Sequence, residues 1–293
     1  MKSLYDTVAI VGPGLIGGSI GMGLLQHGLA RRVIGIGRRQ TSLQEALDVG
    51  AVDEVTLDPA KGVAEANLVV LATPIRALTE LAPVVAGAMP SGAVLTEVAS
   101  TKRSVIDTIT NGMGSRDDLT FIPTHPMAGS EQRGAPHATA NLFDDSVCIF
   151  TPLPDTPESA LADLQQLWEG LGAMVHHMSP VEHDRTVASV SHLPHLAAAC
   201  LARHVSENEG RFAGGGFVDT TRVASGDPRL WRDICESNAD EISDAVHALM
   251  GELQQLQEMF AREDFEAIQT FLHEAKDRRD RILAGLARHT SEE

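Results

Sequence analysis

His125 stands in Thr124-His-Pro-Met-Ala-Gly129, directly after the apolar run Thr120 to Pro123. Imidazole is the side chain whose unperturbed pKa lies near neutrality, so a histidine at a strand end can take a proton from a hydroxyl that is losing hydride. A lone histidine is more often structural, but Glu97-Val-Ala-Ser100-Thr-Lys102 ends a neighbouring apolar run with a hydroxyl and a cation. The other chemistry-bearing stretch is N-terminal, where Thr7-Val-Ala-Ile-Val11 runs into Gly12-Pro-Gly14-Leu15-Ile16-Gly17-Gly18-Ser19. A β-branched run ending in G-x-G-x-x-G and continuing at helical spacing predicts a dinucleotide-binding strand-turn-helix. Gly12 permits the tight turn, Gly14 lets the backbone approach a pyrophosphate, and Gly17 lets helix and strand pack closely. The amides at the helix start, around Leu15 and Ile16, then face the phosphates.

No charged residue occurs between Thr7 and Ala30, which also invites a signal-peptide or membrane reading. The many glycines and Pro13 make a poor spanning helix, and Asp6 sits where a signal peptide requires positive charge. The second strand expected of a dinucleotide fold comes at Arg32 to Ile36. At its end NAD-binding versions carry an acid for the ribose hydroxyls. Here the chain reads Gly35-Ile-Gly-Arg38-Arg39. Two guanidinium groups and no acid favour NADP over NAD, because planar arginine donors pair bidentately with a 2′-phosphate. A merely solvated turn is the competing reading.

These groups need a scaffold. Ser42 to Val49 reads as a short helix, and Leu68 to Ala72 as a continuously apolar, doubly buried strand ended by Thr73-Pro74. A helix from Arg76 to Ala88, a strand at Ala93 to Glu97, a helix from Lys102 to Thr110 and a strand at Thr120 to Pro123 continue the alternation. It predicts an α/β domain, a Rossmann-type doubly wound parallel sheet whose ligand sits beyond the carboxyl ends of the strands. That edge collects Gly12 to Gly17, Thr73, Pro74, Ser100 and His125. Strands at Ser146 to Thr151 and Met174 to His177, with a helix after Pro157, close this domain at residue 179.

The pattern then changes. Ser179-Pro180-Val181-Glu182 is a helix start with a capping box. From there the chain reads as an all-α domain over residues 180–293, with Gly216 to Val218 the one strand-like run. Asp227-Pro228 opens a helix. Apolar spacing through Ile242, Val246, Leu249, Leu253, Leu256 and Phe260 marks a long amphipathic helix, and residues 264 to 286 form the last. Such stripes favour burial in a second subunit, hence a homodimer, with intrachain packing the competing reading.

The chain has 293 residues, 43% hydrophobic content and a formal charge of −17. Nucleic acid and anionic membrane surfaces both require a basic face, so neither is an expected partner. Three cysteines, far apart and without metal-ligand spacing, read as idle thiols in a reducing cytoplasm. His192 and His195 share one helix face if Pro194 does not interrupt it. No carboxylate or cysteine completes a metal set with them, and no metal is expected.

Taken with Ala72-Thr-Pro74, Ser191-His-Leu-Pro-His195, Asp219-Thr-Thr-Arg222-Val-Ala and Asp227-Pro-Arg-Leu-Trp231-Arg-Asp, these motifs resemble the prephenate/arogenate dehydrogenases, the cyclohexadienyl dehydrogenases of tyrosine synthesis. Six motifs in order cover nearly the whole chain. The resemblance implies oxidative decarboxylation of prephenate to 4-hydroxyphenylpyruvate, or of arogenate to tyrosine. It implies that His125 takes the ring hydroxyl proton and that Ser100 touches both His125 and that hydroxyl, a serine that also reads as an N-cap before Lys102. Arg222 would hold a substrate carboxylate, against a surface salt bridge. His192 and His195 would line the substrate pocket, with His195 the direct contact. Trp231 and Arg232 belong near the pocket or the subunit interface, and Trp231 equally reads as core. Neither a chorismate mutase ahead of the nucleotide domain nor a regulatory domain beyond Leu286 is expected, so any feedback inhibition would act at the active site. Another two-domain NADP-dependent hydroxyacid dehydrogenase or imine reductase gives no reason for His125 to Gly129. A non-catalytic NADP-binding sensor leaves Ser100, His125 and Arg222 without a shared purpose.

Overall fold

The computed structural model describes residues 3–129 and 132–289. Eight strands form one sheet in the order β3-β2-β1-β4-β5-β6-β7-β8. They are β1 (Tyr5–Val11), β2 (Ala30–Ile36), β3 (Glu54–Thr56), β4 (Leu68–Leu71), β5 (Val94–Glu97), β6 (Thr120–Pro126), β7 (Val147–Phe150) and β8 (Met174–His177). Between them lie α1 (Leu15–Gln26), α2 (Gln40–Asp48), α3 (Pro59–Val63), α4 (Ile75–Ala88), α5 (Arg103–Met113) and α6 (Glu158–Gly170). The first six strands are parallel, in the Rossmann-type arrangement expected. Val8 and Ile10 join one buried layer, Ala9 and Val11 the other, as the period of two along a strand requires. Helices cover both layers, so β4 is buried throughout.

Three sequence expectations change. β7 pairs antiparallel with β6, and β8 parallel with β7, so the last two strands run against the rest. Among the described residues the connection from β6 to β7 holds only a 3₁₀ turn at Ala135–His137, too little for the crossover helix a parallel return needs. β3 and α3 escaped the sequence reading because three and five residues carry too little periodicity. Gly216 to Val218 is helical, lying within α10 (Gly215–Thr221).

Ser179 Oγ accepts the Glu182 amide at 3.2 Å and starts α7 (Pro180–Val187), the first half of the expected capping box. Pro194 does not interrupt the helical path. A π turn, Ala188–His192, links α7 to α8 (Leu193–His204), and the Leu193 amide bonds the Ala188 carbonyl five residues back. A proline offers no amide to the regular ladder and crowds the preceding turn, and the wider turn absorbs both effects. α9 (Glu207–Gly210), α10 and α11 (Pro228–Ser237) complete this region. It is tied to the sheet half by Arg76 to Asp233 at 3.0 Å and Thr101 Oγ1 to Ser237 Oγ at 2.9 Å, and internally by Asn238 Nδ2 to the Asp184 carbonyl at 2.8 Å.

Accordingly, the chain divides into compact units of residues 1–239 and 240–293. The second holds most of α12 (Ala239–Ala261) and all of α13 (Phe265–His289). Met250, Leu253, Phe260, Phe265, Leu272 and Ile282 are exposed on them. The polar tail expected past Leu286 continues α13 to His289, and residues 290–293 lie outside the described residues. No helix among the described residues is long and apolar enough to cross a membrane.

Candidate active site

The turn after β1 is shaped by its own backbone. Gly12 has φ +93°, and a Cβ there would lie 2.6 Å from the Ala72 carbonyl oxygen. A Cβ at Gly17 would lie 2.4 Å from the Gly12 carbonyl oxygen. A Cβ at Gly14 would meet nothing within 4 Å, so the turn is closed on its inner side and open on its outer one. That cradle fits a dinucleotide pyrophosphate, with half-buried Leu15 and Ile16 opening α1 beside it. It lies where the chain leaves β1 first toward β2 and later toward β4, the switch point at which parallel sheets bind ligands. Thr73 abuts the turn from the β4 side, its buried Oγ1 without a partner among the described residues, and Pro74 is the N-cap of α4. Arg38 and Arg39 are exposed where β2 gives way to α2, and neither makes an ion pair among the described residues.

The polar cluster around His125 is built differently, from side chains buried on several elements. His125 lies next to last in β6 and is 7% exposed. Its Nδ1 is 2.8 Å from His183 Nε2 on α7, and His183 Nδ1 is 2.8 Å from Asp184 Oδ1. The Asp184 carboxylate also accepts the Lys102 amide at 2.7 Å and the Arg103 amide at 2.9 Å. It therefore caps α5 from a helix 82 positions later. Ser100 is not the N-cap; that position belongs to Lys102, and Ser100 is left half-buried just before it.

Lys102 is fully buried. Its ammonium donates to Glu97 Oε1 and, at 2.7 Å, to the Thr124 carbonyl, while Glu97 Oε2 accepts the Ala99 amide at 2.7 Å. Burial pushes the Glu97 carboxyl up and the Lys102 ammonium down, and each pulls the other part of the way back. The bonds to Thr124 and Ala99 stitch the ends of β5 and β6 together around His125.

On the helical side, His195 stacks on Trp231 with ring centroids 3.5 Å apart, and His192 meets the same indole edge-on at 6.1 Å. Trp231 thus joins the two histidines rather than filling the core. A Cβ at Gly226 would lie 2.5 Å from Trp231 Nε1, so the stack needs a glycine opposite it. His192 Nδ1 faces Asn238 Nδ2 at 3.4 Å, and its buried Nε2 has no partner among the described residues. Arg222 opens the exposed 3₁₀ turn Arg222–Ser225, and no salt bridge engages it among the described residues.

Burial holds the His125 imidazole well below its ordinary value, helped by the Lys102 charge and by His183 and His192. Burial likewise lowers His183, against the pull of Asp184, and takes His192 to about 4. For Asp184 burial works upward, but the bonds from His183, Arg103 and Lys102 outweigh it and the carboxyl stays low. The site thus offers neutral imidazoles beside a fixed carboxylate. His183, Asp184 and Asn238 were not singled out from the sequence. The available signal was His183, Val187, Ala188, His192 and His195 all buried along one face of an interrupted helix.

An open parallel sheet with a glycine turn at its switch point, and a buried neutral histidine at a strand end of the same sheet, defines a nicotinamide-dependent dehydrogenase. Comparison with known proteins narrows the class. The family model described as "Prephenate dehydrogenase, nucleotide-binding domain" matches residues 20–177, and "Prephenate dehydrogenase, dimerization domain" matches residues 179–274. The chain belongs to the prephenate dehydrogenase family. It is 35% identical to a prephenate dehydrogenase of Bacillus subtilis over 96% of this chain and 77% of that one. A cyclohexadienyl dehydrogenase of Zymomonas mobilis is 33% identical over 89% and 91% of the two chains. The crystal structure of prephenate dehydrogenase from Aquifex aeolicus in complex with hydroxyphenyl propionate and NAD+ superposes with a TM-score of 0.87 at 31% identity. That superposition covers 94% of this chain and 98% of the other.

Proposed function

We propose that this protein oxidatively decarboxylates prephenate or arogenate, with NADP preferred over NAD. The observation that carries the reading is His125, buried and neutral at the end of β6 with its Nδ1 taken by His183. Bound nicotinamide supplies the two-electron acceptor, and loss of the ring carboxylate as carbon dioxide then aromatises the substrate. His125 accepts the ring hydroxyl proton as that happens, and Ser100 orients the hydroxyl. Arg222 presents paired donors to a substrate carboxylate. His195 and Trp231 line the ring site, and the orphaned His192 Nε2 adds a polar contact. The Gly12 to Gly17 cradle, with Thr73 and Pro74 beside it, holds the pyrophosphate. Arg38 and Arg39, with no acid between them and β2, take the 2′-phosphate.

Residues 1–179 serve as the nucleotide part and 180–293 as the substrate and dimerisation part. The exposed apolar side chains of α12 and α13 support a homodimer. Three free thiols support a cytoplasmic location. The deciding experiment is a spectrophotometric assay of both substrates against both cofactors. Turnover of at least one substrate, faster with NADP, is expected; no turnover in any of the four pairings refutes the reading. Arg222→Ala should raise KM for the substrate far more than it lowers kcat, since a carboxylate clamp acts in the ground state too.

A further inference from the structure

We propose that Asp184 and His183 form a directed hydrogen-bond relay that fixes His125 as its Nδ1–H tautomer, leaving Nε2 as the proton-accepting atom. The inference rests on the reading of His125 as proton acceptor and adds two positioning residues to it. Its direction comes from donor counting. Asp184 receives the amides of Lys102 and Arg103 and the Arg103 guanidinium, so it is a carboxylate with nothing to donate. The His183 Nδ1 facing it at 2.8 Å must then carry the hydrogen. A neutral His183 presents a bare lone pair at Nε2, and 2.8 Å from it lies His125 Nδ1. Two lone pairs cannot face each other at that distance, so His125 Nδ1 carries the hydrogen and Nε2 is bare.

The alternative, a cationic His183 donating at both nitrogens, would leave His125 protonated at Nε2 and unable to act as a base. It is opposed by the surroundings. His183 is fully buried, the buried Lys102 cation lies close enough to bear on it, and His125 and His192 are further imidazoles in its neighbourhood. Among the described residues Asp184 is the acidic group set against it, already shared among three other donors. Glu97 is committed to Lys102. When Nε2 takes a proton from the substrate hydroxyl, the O–H bond breaks and an N–H bond forms. The positive charge then sits on an imidazolium whose Nδ1–H already points along the chain toward Asp184. Position and charge compensation are both in place before the step.

The test reads tautomers and rates separately. Long-range ¹⁵N–¹H spectra of the cofactor-free full-length protein, labelled at histidine nitrogen and assigned with His125→Asn and His183→Gln, should show Nδ1–H for both His125 and His183. A His125 protonated at Nε2 overturns the proposal. In kinetics, His183→Leu should lower kcat by roughly 10²-fold, within the usual worth of positioned proton transfer, with KM and cofactor affinity held within about threefold. His183→Gln keeps an acceptor for the His125 Nδ1–H but loses Asp184, and should fall between wild type and His183→Leu. An Asp184→Asn chain should retain the His125 tautomer with a loss of roughly tenfold. Folded His183→Leu with unchanged kcat also overturns the relay. If His183→Leu does not fold, His183→Gln and the wild-type spectrum decide. Absence of turnover on every substrate would sink the functional reading, and the tautomer measurement would still decide the relay.

Discussion

The nucleotide cradle and the buried polar cluster around His125 solve opposite problems. The cradle is made of backbone, contiguous between Gly12 and Gly17, and works because side chains are missing. The cluster is made of side chains from β5, β6, α5, α7 and the π turn, and works because buried polar atoms on separate elements meet one another. His125 and His183 are 58 positions apart, and Lys102 and Asp184 are 82. A local motif tolerates change in its surroundings but not within itself. A dispersed cluster can be damaged from any of its elements.

The largest effect should come from the cluster. His125→Asn is expected to lower kcat by roughly 10²- to 10⁴-fold with cofactor binding intact, the range lost when a general base is removed. Stopped-flow turnover and fluorescence titration of the cofactor separate the two quantities, and near-normal turnover would break the comparison on its catalytic side. Wild-type activity should persist to pH values well below the ordinary imidazole range before its acid limb appears, because His125 resists protonation.

Next comes the cradle. Gly12→Ala places a methyl 2.6 Å from a carbonyl oxygen in a conformation that disfavours side chains, costing about 1–3 kcal/mol of stability and abolishing cofactor binding. Gly14→Ala meets open space, so it should weaken the cofactor with the melting temperature unchanged. Equal melting shifts in the two variants, read by calorimetry, would contradict the closed-inside, open-outside turn. Smaller again is the Arg38→Ala/Arg39→Ala pair, expected to raise the Kd of NADP roughly tenfold while NAD is little changed, as loss of bonds to a charged phosphate requires. Equal losses for both cofactors would remove the NADP assignment.

The last effect spreads over the whole cluster. His125, His183, His192 and His195 all have pKa values lowered by burial. Unfolded histidine takes up protons near pH 6.5 while these stay neutral, so their contribution is fully present above that pH and drains away as pH falls below it, for His192 down to about 4. Urea unfolding between pH 7 and 5 should show stability falling by up to about 1.4 kcal/mol per pH unit for each such histidine. A flat profile would mean that the cluster is charged or wet.

The same contrast explains what could be read from the chain. Gly12 to Gly17, the apolar strands and His125 at a strand end each carry their meaning within a few residues. His183-Asp184 does not: by residue type alone it is a polar pair in the first turns of a surface-looking helix. Only the π turn, which carries His192 and His195 onward along the buried face, reveals the pair as interior. The alternative reading of Ser100 as a cap rests on caps being usually local, whereas here the capping carboxylate arrives from another helix. The reversal of β7 was hidden for a related reason, since strand direction lies in the connection and not in the strand.

That remote cap also bears on the order in which the chain is made. During synthesis α5 leaves the ribosome 82 residues ahead of the carboxylate that completes its first turn. Until α7 emerges, the Lys102 and Arg103 amides have no partner there, and the cover over Lys102 is incomplete. A nascent chain halted near residue 179 would therefore carry a sheet with an unfinished helix in its flank. Proteases and chaperones would meet it in that condition. Closing the buried cluster around His125 and completing α5 are one event in the life of the polypeptide.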